Sequence, residues 1–195
     1  MTLPTKLTLL RVLLAFLVMS LLFIPGWPAK AAALACFFVA GATDWLDGYL
    51  ARRWQQATPL GALLDPIADK VLVLGTFLAF VQLRLIPAWM VLVIVLRESL
   101  ITGVRLVAAG RNIVLPAARE GKQKTVSQLV AIFVILLELL ARAAGGRPAL
   151  VDRLDGLRMA SLWLTTLLTV SSGLTFFRTN RRVLLDAGLY RGSGA

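Results

Sequence analysis

Asp44, Asp47, Asp65 and Asp69 lie close together in a chain that has only ten acidic residues and a net charge of +11. Asp44 and Asp47 are three residues apart and Asp65 and Asp69 are four apart, the two intervals at which side chains share one face of a helix. Gly48 and Ala51 fall on the face of the first pair, with Arg52 beside it, and Gly61 and Ala68 flank the second. Two helices therefore each present a carboxylate pair on a surface of small residues. The short connection from Arg53 to Pro59 makes them antiparallel neighbours, so the two faces can meet. With all-oxygen ligands, no histidine in the chain and no cysteine nearby, the set suits Mg²⁺ or Mn²⁺ better than zinc or copper. Two such ions would polarise a phosphate and screen a leaving group, which is phosphoryl-transfer chemistry. The small residues would let a nucleotide lie against the helix backbones.

The cost of this arrangement depends on what surrounds it. The chain has 195 residues, 58% of them hydrophobic and only 16% charged, with a mean hydropathy of +0.81. A soluble domain of this length would be nearer a quarter charged. Its apolar runs are long enough to cross about 30 Å of hydrocarbon, so an all-α integral membrane protein is expected. An ionised carboxylate at mid-membrane costs about 2.5–3.5 kcal/mol, and four that repel one another approach about 10 kcal/mol. Arg52 and Lys70 offset part of this, and divalent ions would neutralise the rest.

Six transmembrane helices are expected, at about Leu7–Ile24, Ala31–Leu50, Leu60–Val81, Ile86–Val107, Val126–Leu140 and Met159–Phe177. Pro25 and Pro28 break the first connection, Pro59 starts the third helix, Pro87 suits the first turn of the fourth, and Ala143 to Pro148 ends the fifth. Pro66 should loosen or kink the third helix beside Asp65. Asp44 and Asp47 then lie about 20 and 24 Å along the second helix, and Asp65 and Asp69 about 8 and 14 Å into the third. All four are therefore expected in the cytoplasmic half of the bilayer, within reach of water. Of the 21 Lys and Arg residues, fourteen fall on the side of the termini, six on the other, and Lys70 lies within the membrane. Both termini are therefore expected in the cytoplasm, and residues 1–195 read as one helical domain.

Other classes fit less well. The basic residues are separated by apolar runs, so no basic face can track a phosphate backbone and nucleic acid is not an expected partner. Lys6 and the following apolar run imitate a signal peptide, but Arg11 interrupts that run and several spans follow, so an uncleaved first helix is expected. A single cysteine, Cys36, excludes an intrachain disulfide. A divalent-cation transporter would also hold carboxylates within a membrane. Here, however, they are grouped toward one side, no inverted repeat is visible, and Ala51-Arg52 and Gly61 have no purpose in conduction.

The pattern Asp44-x2-Asp47-Gly48-x2-Ala51-Arg52-x8-Gly61-x3-Asp65-x3-Asp69 resembles the signature of the CDP-alcohol phosphatidyltransferases. That resemblance implies a membrane enzyme of six transmembrane helices, commonly homodimeric, that transfers a phosphatidyl group from a CDP-linked donor to an alcohol and releases CMP. It implies that Asp44, Asp47 and Asp65 hold two Mg²⁺ or Mn²⁺ ions, and that Asp69 shares in this and acts as general base. It implies a CDP-donor site formed by Thr8, Gly48, Arg52, Thr58 and Gly61.

Three further stretches resemble the phosphatidylglycerophosphate synthase branch of that family: "LPTKLTLLRVLL" near the start, "RESLITGVRLVAAG" from Arg97 and "GKQKTVSQLVAI" from Gly121. One departure stands at Thr5, where that branch usually has Asn. The implied substrates are CDP-diacylglycerol and glycerol 3-phosphate, used in the plasma (inner) membrane among membrane lipids with the active site facing the cytoplasm. Inositol phosphate, serine or phosphatidylglycerol are alternative acceptors for the same chemistry. The residues themselves favour an anionic acceptor. Arg97 and Arg105 are about 80° apart around one helix, with Lys122 and Lys124 in the next cytoplasmic connection, and such a group would draw in and orient a phosphate dianion. Glu98, beside Arg97, balances charge.

Overall fold

Long apolar runs punctuated by proline and glycine fold into helices because every backbone polar group is then satisfied within its own segment. The computed structural model describes residues 3–54, 59–110, 113 and 120–186, with side chains described for 9–43, 70–110, 113 and 123–181. These residues form six α-helices: α1 (Leu3–Phe23), α2 (Trp27–Trp54), α3 (Pro59–Gln82), α4 (Ala88–Gly110), α5 (Glu120–Ala143) and α6 (Pro148–Asp186). Helix α1 packs on both α2 and α3, α5 packs along α6, and α2 and α3 each touch α5. Helix α4 is held mainly by α6 and also meets α3.

The core follows the helical period. Ala33, Phe37 and Ala40 of α2, Val73, Phe77 and Phe80 of α3, and Ile132, Ile135 and Leu136 of α5 are buried together with Ala15, Val18 and Leu22 of α1. The outward faces carry many large apolar side chains as well: Leu13 is 67% exposed, Leu106 68% and Leu167 62%. Large exposed side chains on successive helices are what a lipid-facing surface requires and what a water-facing one avoids. Among the described residues, two stretches are long and apolar enough to cross a membrane by length and composition, Gln123–Ala143 and Pro148–Arg181. Between helices in lipid, close packing takes the place of the water-driven effect. Gly75 serves it, since a Cβ there would stand 2.9 Å from the sulfur of Met19 on α1.

Two helix ends share one capping geometry. At the end of α3, Leu85 N–H donates to the Phe80 carbonyl (3.0 Å) and Arg84 N–H to that of Val81 (2.9 Å), with Arg84 itself at φ 58°. At the end of α5, Gly146 N–H donates to Ala141 (2.8 Å) and Gly145 N–H to Arg142 (3.3 Å), with Gly145 at φ 70°. Both are Schellman caps, which need a left-handed residue after the helix. Glycine meets this need at α5 and arginine, unusually, at α3.

The boundaries differ from the sequence expectation wherever charged residues extend a helix. Helix α6 starts at Pro148, eleven residues before Met159, and takes in Asp152, Arg153, Asp155 and Arg158. Helix α5 starts at Glu120, which places Lys122 and Lys124 in the helix rather than in the connection before it. Helix α2 continues through Arg52 and Arg53 to Trp54. Hydropathy marks where a helix is apolar, not where its hydrogen bonds end. Pro28 lies in the first turn of α2, where its missing N–H costs nothing, and Pro25 alone stays in the connection. Helix α3 runs through Pro66 without a break.

A buried ion cluster secures the end of the bundle where α5 and α6 join. Glu138 is 1% exposed and accepts from Arg142 Nε at 2.8 Å. Arg158 Nε stands 2.9 Å from its other oxygen, an ion pair without hydrogen-bond alignment. Arg158 also pairs with Asp155 and donates to the Leu85 carbonyl, tying α6 to the turn between α3 and α4.

Candidate active site

The backbone shows which helices carry the sequence-identified residues. Thr8 is on α1; Asp44, Asp47, Gly48 and Arg52 are on α2; Gly61, Asp65 and Asp69 are on α3; and Lys122 is in the first turn of α5. The side chains of these nine lie outside the described residues, as does Thr58 altogether. The two Asp-bearing helices are both held against α1, and both reach α5. Among the described residues, no three His, Cys, Asp or Glu side chains converge in a way that could hold a metal ion.

The described part of the site begins at Lys70, the residue after Asp69. Its ammonium donates to the Thr102 hydroxyl, joining α3 to α4. One turn earlier on α4, Glu98 accepts from two directions: Arg97 Nη1 lies 3.1 Å from Oε1, and the Lys124 ammonium of α5 pairs with the same oxygen. The side chains of Lys124 and Arg97 are only 9% and 13% exposed. These two cations are therefore built into the interior between α4 and α5 rather than spread over a solvated edge. A shared carboxylate makes that tolerable, since one cation alone at that depth would carry a large desolvation cost. The trio keeps one net positive charge and can still attract an anion.

Helix α6 supplies the wall behind the two arginines. Gly173 faces Arg97, and a Cβ there would come within 3.4 Å of Arg97 Cγ. The Arg105 guanidinium lies over the ring of Phe176, 5.6 Å from its centroid, in the geometry of a cation–π contact. Phe176 is itself buried. Arg97 and Arg105 thus both face α6, as expected of residues about 80° apart on one helix.

Of the four expected acceptor contacts, the structure joins Arg97 and Lys124 through Glu98. It places Arg105 one helical segment away on Phe176, and the side chain of Lys122 lies outside the described residues. The sequence marks Glu98 only as charge balance and does not mark Gly173, Phe176 or Gln128, the last of which borders a small space together with Lys70, Glu98 and Lys124. Gln128 was open to discovery, because it stands four residues after Lys124 and shares its helix face. Nothing along the chain marks Gly173 or Phe176, whose partners are some seventy residues away.

A helical bundle of this topology, with paired aspartates on two helices that share α1 and a buried cationic group one helix further on, defines a class rather than a single reaction. The CDP-alcohol phosphatidyltransferase family matches residues 1–171, and the chain belongs to that family. It is 38% identical to the CDP-diacylglycerol–glycerol-3-phosphate 3-phosphatidyltransferase of Bacillus subtilis (strain 168), over 93% of this chain and 96% of that protein. It is 36% identical to the Escherichia coli (strain K12) protein of the same name, over 94% and 97%. It is also 36% identical to a cardiolipin synthase (CMP-forming) of Oryza sativa subsp. japonica, over 95% of this chain but 59% of that protein.

Proposed function

We propose that this protein transfers the phosphatidyl group of CDP-diacylglycerol to sn-glycerol 3-phosphate, giving phosphatidylglycerophosphate and CMP. The observation that carries this reading is similarity along nearly the whole length to relatives bearing that one enzyme name. The buried Arg97–Glu98–Lys124 group supports it, because a cationic site that shares a small space with Lys70, the residue after the proposed base, suits an acceptor that is a phosphate dianion. The chain works as one domain of six membrane-crossing helices in the inner (plasma) membrane, as a homodimer, with both termini and the site on the cytoplasmic side.

Four carboxylates without histidine are the donor set of a hard divalent cation, so the residues fit Mg²⁺ or Mn²⁺. Asp44, Asp47, Asp65 and Asp69 would hold two such ions, which when bound supply charge neutralisation at the phosphates. The chain's own groups do the rest. Thr8, Gly48, Arg52, Thr58 and Gly61 hold the CDP end of the donor. Arg97, Arg105, Lys122 and Lys124 hold the acceptor phosphate and aim its terminal hydroxyl. Asp69 takes the proton as the hydroxyl oxygen bonds to the phosphorus bearing diacylglycerol and the bond from that phosphorus to CMP breaks. A single in-line displacement suffices, since no Ser/His or Cys/His couple is available for a covalent intermediate.

Purified protein given labelled CDP-diacylglycerol and each candidate acceptor in turn tests the reading. Product with glycerol 3-phosphate is expected. Turnover only with phosphatidylglycerol would favour the second reading, which the similarity to the cardiolipin synthase motivates. Ion flux in liposomes without CMP release would point to transport instead.

A further inference from the structure

Lys70 of α3, Glu98 of α4 and Lys124, Thr125 and Gln128 of α5 frame a space of about 30 Å³. Gln128 is 4% exposed, and its Nε2 has no hydrogen-bond partner. A buried amide is seldom left in that state unless a water or a ligand completes it. A water-sized group needs about 10–15 Å³ and two to four polar partners, so this space takes one water or one oxygen-bearing group of a ligand and nothing larger.

Its position narrows the choice. Lys70 directly follows Asp69, the proposed base, and Lys124, a proposed phosphate contact, stands one turn from Gln128 on the same face of α5. Gln128 and Lys124 thus border the same small space as Lys70, so that space lies between the phosphate contact and the stretch of α3 that carries the proposed base. Between the phosphate and the attacking hydroxyl of glycerol 3-phosphate there is one further polar group, the hydroxyl on the middle carbon.

Resting on the function proposed above, we infer that Gln128 is a specificity-determining residue that holds the middle-carbon hydroxyl of glycerol 3-phosphate in this space, displacing a water. An amide suits a hydroxyl in either orientation, because it can donate to the hydroxyl oxygen or accept its proton. No other residue bordering the space carries a side-chain amide.

The test compares kcat/KM for sn-glycerol 3-phosphate and for 3-hydroxypropyl phosphate, which lacks only the middle hydroxyl. It uses the full chain as wild type, Gln128→Leu and Gln128→Met. Wild type should prefer the natural acceptor by about tenfold or more, since an unfilled hydrogen-bonding site rejects the deoxy analogue. Both variants should bring the preference close to unity by losing rate with the natural acceptor, while KM for CDP-diacylglycerol stays put. Should Gln128→Leu not fold, Gln128→Met keeps the side-chain length and still removes the amide. A preference that survives in whichever variant folds overturns the inference and leaves Gln128 a residue that holds a structural water. A wild type that uses neither acceptor overturns the proposed function, and this inference with it.

Discussion

Arg158→Met removes the better-buried partner of the Glu138 carboxylate, and its cost can be worked from the geometry. Glu138 is 1% exposed, Arg158 12% and Arg142 47%. Losing one partner of a buried pair typically costs about 3–5 kcal/mol, because the remaining charge stays desolvated. Here Arg142 remains, half in solvent, so the low end applies, about 3 kcal/mol. The Leu85 carbonyl also loses its donor, worth about 1 kcal/mol more. The single variant should therefore lose about 4 kcal/mol. The double variant Glu138→Leu with Arg158→Met leaves no buried charge, and its pair with the exposed Asp155 matters little. It should lose only about 1–2 kcal/mol, about 2–3 kcal/mol less than Arg158→Met alone. Unfolding from mild detergent into sodium dodecyl sulfate, followed by tryptophan fluorescence, measures these differences. A single variant within about 1 kcal/mol of wild type, or a double variant no more stable than Arg158→Met, refutes the reasoning. Activity below the transition should be retained, since the cluster shares no residue with the proposed site.

Further outcomes follow from the site and the helix ends. Asp69→Asn should abolish CMP release with the protein still folded, because the amide cannot take the hydroxyl proton; residual turnover near wild type would exclude Asp69 as base. Phe176→Leu removes the ring beneath Arg105, a contact worth about 0.5–2 kcal/mol. It should raise KM for glycerol 3-phosphate several-fold, leaving KM for CDP-diacylglycerol unchanged, and steady-state kinetics with each substrate varied will show whether it does. Arg84→Gly relieves a left-handed backbone on a β-carbon-bearing residue. It should stabilise the protein by about 1 kcal/mol, seen as a higher Tm in detergent; a lowered Tm would mean that the Arg84 side chain holds more than its backbone costs.

What the sequence determined about this protein was local and compositional. Carboxylates at intervals of three and four, glycines on the same faces and long apolar runs between them were enough to reach the six helices and the family. Each of those signals repeats within one helix or across one short connection. Helix ends were less legible, because Asp152 to Arg158 and Lys122 to Lys124 are polar yet helical, held by backbone bonds and ion pairs that hydropathy does not register. Only the tertiary structure decided that Glu98 is shared between Arg97 and Lys124, that Gln128 borders a small polar space, and that Gly173 and Phe176 back the two arginines. These pairings join helices far apart along the chain. Their partners are selected by how α4, α5 and α6 pack, and no spacing along one segment encodes that.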